Sequence, residues 1–77
     1  MPEERFMKII SAIPWVEDEN GVLWSHYGKD IFYIWNDEVM GWSYQLNEDF
    51  AQQADSHAEA LQGCARLLAQ KMAAAKR

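Results

Sequence analysis

The stretch DIFYIWNDEVMGWSYQL, Asp30 to Leu46, constrains the fold more than any other part of the chain. In its second half Met40, Trp42, Tyr44 and Leu46 are large and apolar or aromatic. Gly41, Ser43 and Gln45 between them are small or polar, which is the alternation of a strand with one buried side. The first half does not alternate. Ile31, Phe32, Tyr33, Ile34 and Trp35 run apolar through both parities, so a strand here presents bulky side chains to both sides of a sheet. Any fold for this chain has to provide for that second side.

The 77 residues are expected to form a single α+β domain, 1–77, because so short a chain lacks the volume for two cores. With 49% of residues hydrophobic and 25% charged, the chain lies far from the composition of disorder and should fold. A domain of this size buries only roughly 60% of its unfolded surface, so its aromatic residues matter. Four Trp, three Tyr and three Phe are available, and each can remove about 150–250 Å² from water. Cys64 is the only cysteine, which excludes cystine frameworks and multi-cysteine zinc sites within the chain and points to a reducing, cytoplasmic compartment. The N-terminal MPEERFMKII has an apolar group too short and interrupted for a signal-peptide core, and no window reaches membrane-spanning length. The net charge of −5 opposes generic binding to nucleic-acid phosphates or anionic lipid. Neither direct nucleic-acid binding nor membrane association is therefore expected.

Pro2 suits a first helical turn, Glu3 and Glu4 favour its positive end, and Phe6, Ile9, Ile10 and Ile13 recur at helical spacing, which predicts a short amphipathic helix over Pro2 to Ala12. Pro14 ends it. A strand begins at Trp15 and Val16, and Asn20-Gly21 predicts a tight hairpin turn. Val22 to Tyr27, Ile31 to Trp35 and Met40 to Leu46 complete a four-stranded antiparallel meander, with turns at Gly28-Lys29-Asp30 and Asn36 to Val39. A C-terminal helix follows, packed on one face of the sheet. Ser56 with Glu59 forms its capping box, and Asn47, ahead of Glu48, Asp49 and Phe50, allows an earlier helical turn or two. Ala58, Leu61, Cys64 or Ala65, Leu68 and Met72 form its apolar stripe, with Gln62, Arg66 and Gln70 opposite. Gly63 costs about 1 kcal/mol inside a helix, which implies close packing of the backbone on the sheet. The end of the helix, Ala73 to Arg77, is expected to fray, with Lys71, Lys76 and Arg77 suited to a helix C-terminus.

The helix after the fourth strand is expected to meet Trp42, Tyr44 and Leu46 through Leu61, Leu68 and Met72. An odd number of residues in the third turn places Phe32 and Ile34 on that face and sends Ile31, Tyr33 and Trp35 away; an even number exchanges the sets. Bulky residues remain on the far side in either case. The N-terminal helix, a second copy of the chain or another protein could cover them. A helix of barely three turns is expected to give partial cover and leave an aromatic surface wider than monomers ordinarily expose. Trp24, Tyr33 and Trp35 are the residues such a surface would use for docking, since Trp and Tyr offer rigid area with a polar atom that finds a partner.

In an antiparallel meander the first and third turns lie at one end of the sheet, so Glu17, Asp18 and Glu19 are expected near Asp37 and Glu38. Solvated turn residues account for these acids without any function. As a functional feature they form a landing site for a basic partner, or mimic phosphate spacing in a protein that blocks a nucleic-acid-binding groove.

Catalytic patterns are not found in the sequence. His26 and His57 lack neighbours at metal-ligand spacing, and Glu17-Asp18-Glu19-Asn20-Gly21 is too short for an EF-hand loop. There is no phosphate-binding glycine loop and no nucleophile elbow. Cys64 falls on the apolar stripe of the helix, as a small buried hydrophobe would. Neither catalysis nor a cofactor is expected.

The segments PWVEDENGVLW, GKDIFYIW, GWSYQL and ADSHAEALQGCARLLAQKM together resemble small proteins of phage and prophage genomes, in which a tryptophan-rich strand meander is closed by a helix opening on Ser-x-x-Glu-Ala. The resemblance spans Trp15 to Met72 and leaves out the N-terminal helix. It implies a non-enzymatic accessory protein that binds and inhibits a host factor. The sequence therefore points to a protein-binding module, with a homodimer through the same face and an acidic nucleic-acid mimic as the other readings.

Overall fold

In a computed structural model the chain is described over residues 2–75, except for the side chains of Pro2 and Glu3. The expected contribution of Glu3 to the helix start, and those of Lys76 and Arg77 to the helix end, lie outside the described residues. The element order is α1 (Pro2–Ala12), β1 (Val16–Glu17), β2 (Leu23–Tyr27), β3 (Asp30–Asp37), β4 (Gly41–Leu46), β5 (Gln52–Ala54) and α2 (His57–Ala75). The strands pair antiparallel in chain order, β1-β2-β3-β4-β5. The architecture is thus the expected α+β arrangement of helix, antiparallel sheet and helix on the sheet.

The sheet has five strands where the sequence predicts four. Asn47 does not open a helix; it adopts a left-handed conformation with φ 55° and reverses the chain. Its N–H donates to Ile31 O at 2.7 Å and its Oδ1 accepts from Ile31 N at 2.8 Å, which locks the end of β4 to β3. After this turn Gln52, Gln53 and Ala54 pair with Tyr44, Ser43 and Trp42. Two glutamines and an alanine carry no apolar alternation, so backbone hydrogen bonding makes this strand and its side chains do not announce it. The helix then starts only after Ser56. Ser56 Oγ accepts the Glu59 N–H at 3.1 Å and Glu59 Oε2 accepts the Asp55 N–H at 2.8 Å, a capping box that reaches one residue upstream.

The first strand is shorter than predicted, and Asn20-Gly21 belongs to a wider loop between Glu17 and Leu23. Asp18 N donates to Val22 O at 2.9 Å, and Asp18 Oδ1 accepts from Asn20 N and Val22 N at 2.8 and 3.0 Å. Only Gly21, at φ 80°, needs the left-handed region there. A five-residue loop closed by an aspartate thus replaces the two-residue turn.

Glu38, Val39 and Met40 form the turn between β3 and β4, an odd number. Phe32 and Ile34 therefore share a face with Tyr44 and Leu46, and this face is the core. Against it α2 buries Ala60, Gly63, Cys64, Ala65 and Leu68. Ala58 and Met72, expected in the stripe, are exposed, because the contact runs along the helix's small residues instead. Small side chains bring the helix close to the sheet.

The position of α1 corrects the expectation that it partly covers the far side. It packs against α2, and Ile10 is fully buried in one cluster with Phe32, Ile34 and Leu68. Phe6, Met7, Ile9 and Ile13 pack around that cluster. The Trp15 indole N–H donates to Ile10 O at 2.9 Å, and Ser25 Oγ donates to Pro14 O. These two bonds fold the connection after α1 back onto the core side. Both helices consequently lie on the same side of the sheet.

Candidate functional site

Alternation along the paired strands assigns the other face residue by residue. Val16, Trp24, Tyr33 and Gln45 stand in one row across four strands. His26 and Ile31 make the row on one side, and Trp35, Ser43 and Gln53 the row on the other. No helix covers this face among the described residues. Val16, Trp24 and Ile31 are 49%, 37% and 37% exposed, while Tyr33 and Trp35 are half-buried by their neighbours on the face itself. Trp24 lies directly opposite Tyr33, the cross-strand placement in which aromatic side chains support each other. Trp24, Tyr33 and Trp35, singled out in the sequence, thus share one surface.

Trp35 borders two depressions. On one side a groove of about 450 Å³ is bounded by Tyr33, Trp35 and Val22, by the carboxylates of Asp18 and Glu48, and by Gln45 and Asn47. On the other a smaller hollow of about 180 Å³ runs past Ser43 and Met40 to β5. Ser43, paired with Trp35, is only 5% exposed. Glu48 and Gln45 were not singled out in the sequence, where Glu48 falls in the segment that allows an earlier helical turn ahead of Ser56. The signal that marks it is Asn47, a residue tolerant of positive φ directly after an alternating strand.

The acidic residues divide by role. The loop containing Asp18 and Glu19 and the turn containing Glu38 lie at the same end of the sheet, because Leu23 pairs with Ile34 and β3 runs on to Asp37. Glu17 pairs with Leu23 and so takes the core-side parity, although it is exposed at the edge strand. Asp37 Oδ1 accepts the N–H groups of Met40 at 3.0 Å and Val39 at 2.8 Å, and these bonds hold its carboxyl below the ordinary value. Asp18 and Asp37 therefore shape their turns as well as adding charge.

Other chemically able groups are occupied elsewhere. Burial pushes the Cys64 thiol up to about 12, which keeps it protonated and unreactive. His57 lies against Trp42 with ring centroids 5.3 Å apart, and His26 is exposed on the far face. Asp30 is held below the ordinary carboxyl value by Lys71 of α2, with Asn47 Nδ2 also donating to it at 3.1 Å. This network ties α2 to the start of β3. Among the described residues no three His, Cys, Asp or Glu side chains are grouped to hold a metal ion, and no helix is long and apolar enough to cross a membrane.

The fold and face together define a two-layer α+β protein with helices on one side of the sheet and an uncovered aromatic surface on the other. No protein-family model, curated protein or solved structure matches the chain.

Proposed function

We propose that this chain is a non-enzymatic protein-binding module whose uncovered sheet face docks a partner bearing positive charge. Trp24, Tyr33 and Trp35 supply the centre that loses water on binding, and Glu17, Asp18, Glu19, Asp37 and Glu38 orient the partner from one end of the sheet. The observation that carries this reading is the placement of both helices on one side, which leaves Val16, Trp24, Ile31, Tyr33 and Trp35 without cover. A positively charged partner fits better than a second copy. Two copies meeting by this face would bring together chains of net charge −5 each, and like net charges oppose association. The resemblance to phage and prophage proteins adds that the partner is a host factor inhibited by the docking.

The test compares four folded baits: wild type, Trp24→Ala, Trp35→Ala and Gln70→Ala, the last on the outward face of α2. The reading expects a partner captured by wild type and Gln70→Ala, lost with either tryptophan variant, and released as salt rises. Capture of the same proteins by all four baits, or a mass that doubles with concentration in sedimentation, would overturn it.

A further inference from the structure

We infer that the groove between Asp18 and Glu48 receives an arginine side chain of the docked partner, an assignment that rests on the docking reading above. The groove joins two kinds of surface that a guanidinium uses at once. Tyr33 and Trp35 stand two residues apart on the same face of β3 and offer aromatic rings, whose negative faces attract cations. Asp18 and Glu48, from loops at the two ends of the sheet, add carboxylates to the same lining.

The hydrogen-bonding state of the lining favours a ligand rich in donors. Asp18 uses Oδ1 to close its loop, which leaves its second oxygen as an acceptor. Glu48 makes no ion pair or hydrogen bond with any group among the described residues. Gln45 Nε2 donates one N–H to Asn47 O at 2.7 Å, which leaves its other N–H and its oxygen available. The second oxygen of Asp18, the Glu48 carboxylate and the Gln45 oxygen are therefore available acceptors, and no cationic side chain stands among the residues of this lining. An anion has little to bind here. Arginine fits better than lysine, because a planar guanidinium stacks on a ring while its edge donates to a carboxylate, whereas an ammonium is a compact and strongly hydrated charge.

The experiment is an NMR titration with a capped peptide carrying one arginine between glycines, beside versions with lysine and with glutamate. The indole N–H of Trp35 should shift saturably with the arginine peptide, while those of Trp15 and Trp42 on the core side stay still. Arginine should bind about threefold or more tighter than lysine, and glutamate should not bind. Glu48→Gln and Asp18→Asn should each weaken the arginine peptide about threefold or more, with Glu59→Gln on α2 as the unaffected control. Asparagine keeps the oxygen that closes the Asp18 loop. An unmoved Trp35 indole, equal affinity for arginine and lysine, or equal losses for Glu48→Gln and Glu59→Gln would overturn the assignment. Should Trp35→Ala baits still lose a partner in that event, the docking face stands and the arginine assignment alone falls.

Discussion

The phenol ring of Tyr44 lies directly on the backbone of Gly63, so close that a Cβ built on the glycine falls 2.2 Å from Tyr44 Cζ. Tyr44 is pinned there. It is 5% exposed and its hydroxyl donates to Gln52 Oε1 at 3.4 Å. The contact sets the distance between α2 and the middle of the sheet, and it explains a glycine that helix propensity alone disfavours.

Gly63→Ala should destabilise the protein although alanine is the better helix former. Overpacking a tight core costs about 1–3 kcal/mol, which outweighs the roughly 1 kcal/mol gained in propensity. A melting temperature lowered in Gly63→Ala and recovered in part by adding Tyr44→Leu is the expected result. An unchanged or raised melting temperature would show that the ring can step aside.

The two faces of β3 and its neighbours should respond differently to truncation. Phe32→Ala, on the fully buried side, is expected to cost about 3–5 kcal/mol. A loss of that size leaves a small domain close to unfolding. Trp24→Ala, on the uncovered side, is expected to cost about 1 kcal/mol, mainly its cross-strand packing with Tyr33. Urea titration of both variants measures the contrast, and equal losses would mean that the far face is core.

Acid should erode stability through Asp30 and Asp37. Lys71 lowers the pKa of the first, and the Met40 and Val39 N–H groups lower that of the second, from an ordinary value of 3.8. A lowered folded pKa contributes stability above the unfolded value and loses it as pH falls through the folded one. Asp30→Asn and Asp37→Asn should therefore melt below wild type at about pH 7 and approach it at about pH 2. Lys71→Met should shrink the gap between wild type and Asp30→Asn while leaving that for Asp37→Asn intact. Melting curves across pH read all of these directly.

Cys64 should resist thiol reagents while the protein is folded. Its thiol is fully buried and its pKa is raised from 9.0 to about 12, so the thiolate is scarce and out of reach. The stability that goes with the protonated thiol is complete below 9.0 and lost as pH rises toward 12. Labelling in mild alkali should follow global unfolding, and the rate should rise with urea in step with the loss of secondary structure. Rapid labelling of the native protein would place the thiol at a surface.

Much of the local structure is legible in the residues because its causes are local. Pro14 stops α1 and Ser56 with Glu59 starts α2, whereas the turn expected over Asn36 to Val39 is instead Glu38 to Met40, and only that register puts Phe32 and Ile34 in the core. β5 was not legible, since Gln52 and Gln53 are held by backbone pairing and leave no hydrophobic pattern. Glu48 was not legible for a related reason. Its place in the groove that Asp18 lines from the other end of the sheet depends on the reversal at Asn47 and on the pairing of the whole sheet.

The amino-acid order by itself determined that the middle strands carry large apolar side chains on both sides, because alternation and its failure are properties of neighbouring residues. Which side would remain open was decided only by tertiary packing. The apolar stripe of α1 had two surfaces available to it, α2 or the far face, and the bonds from Trp15 to Ile10 and from Ser25 to Pro14 turned it toward α2. A competition between distant surfaces is settled by the total area and hydrogen bonding of the assembled layers, a sum that no short window of residues contains.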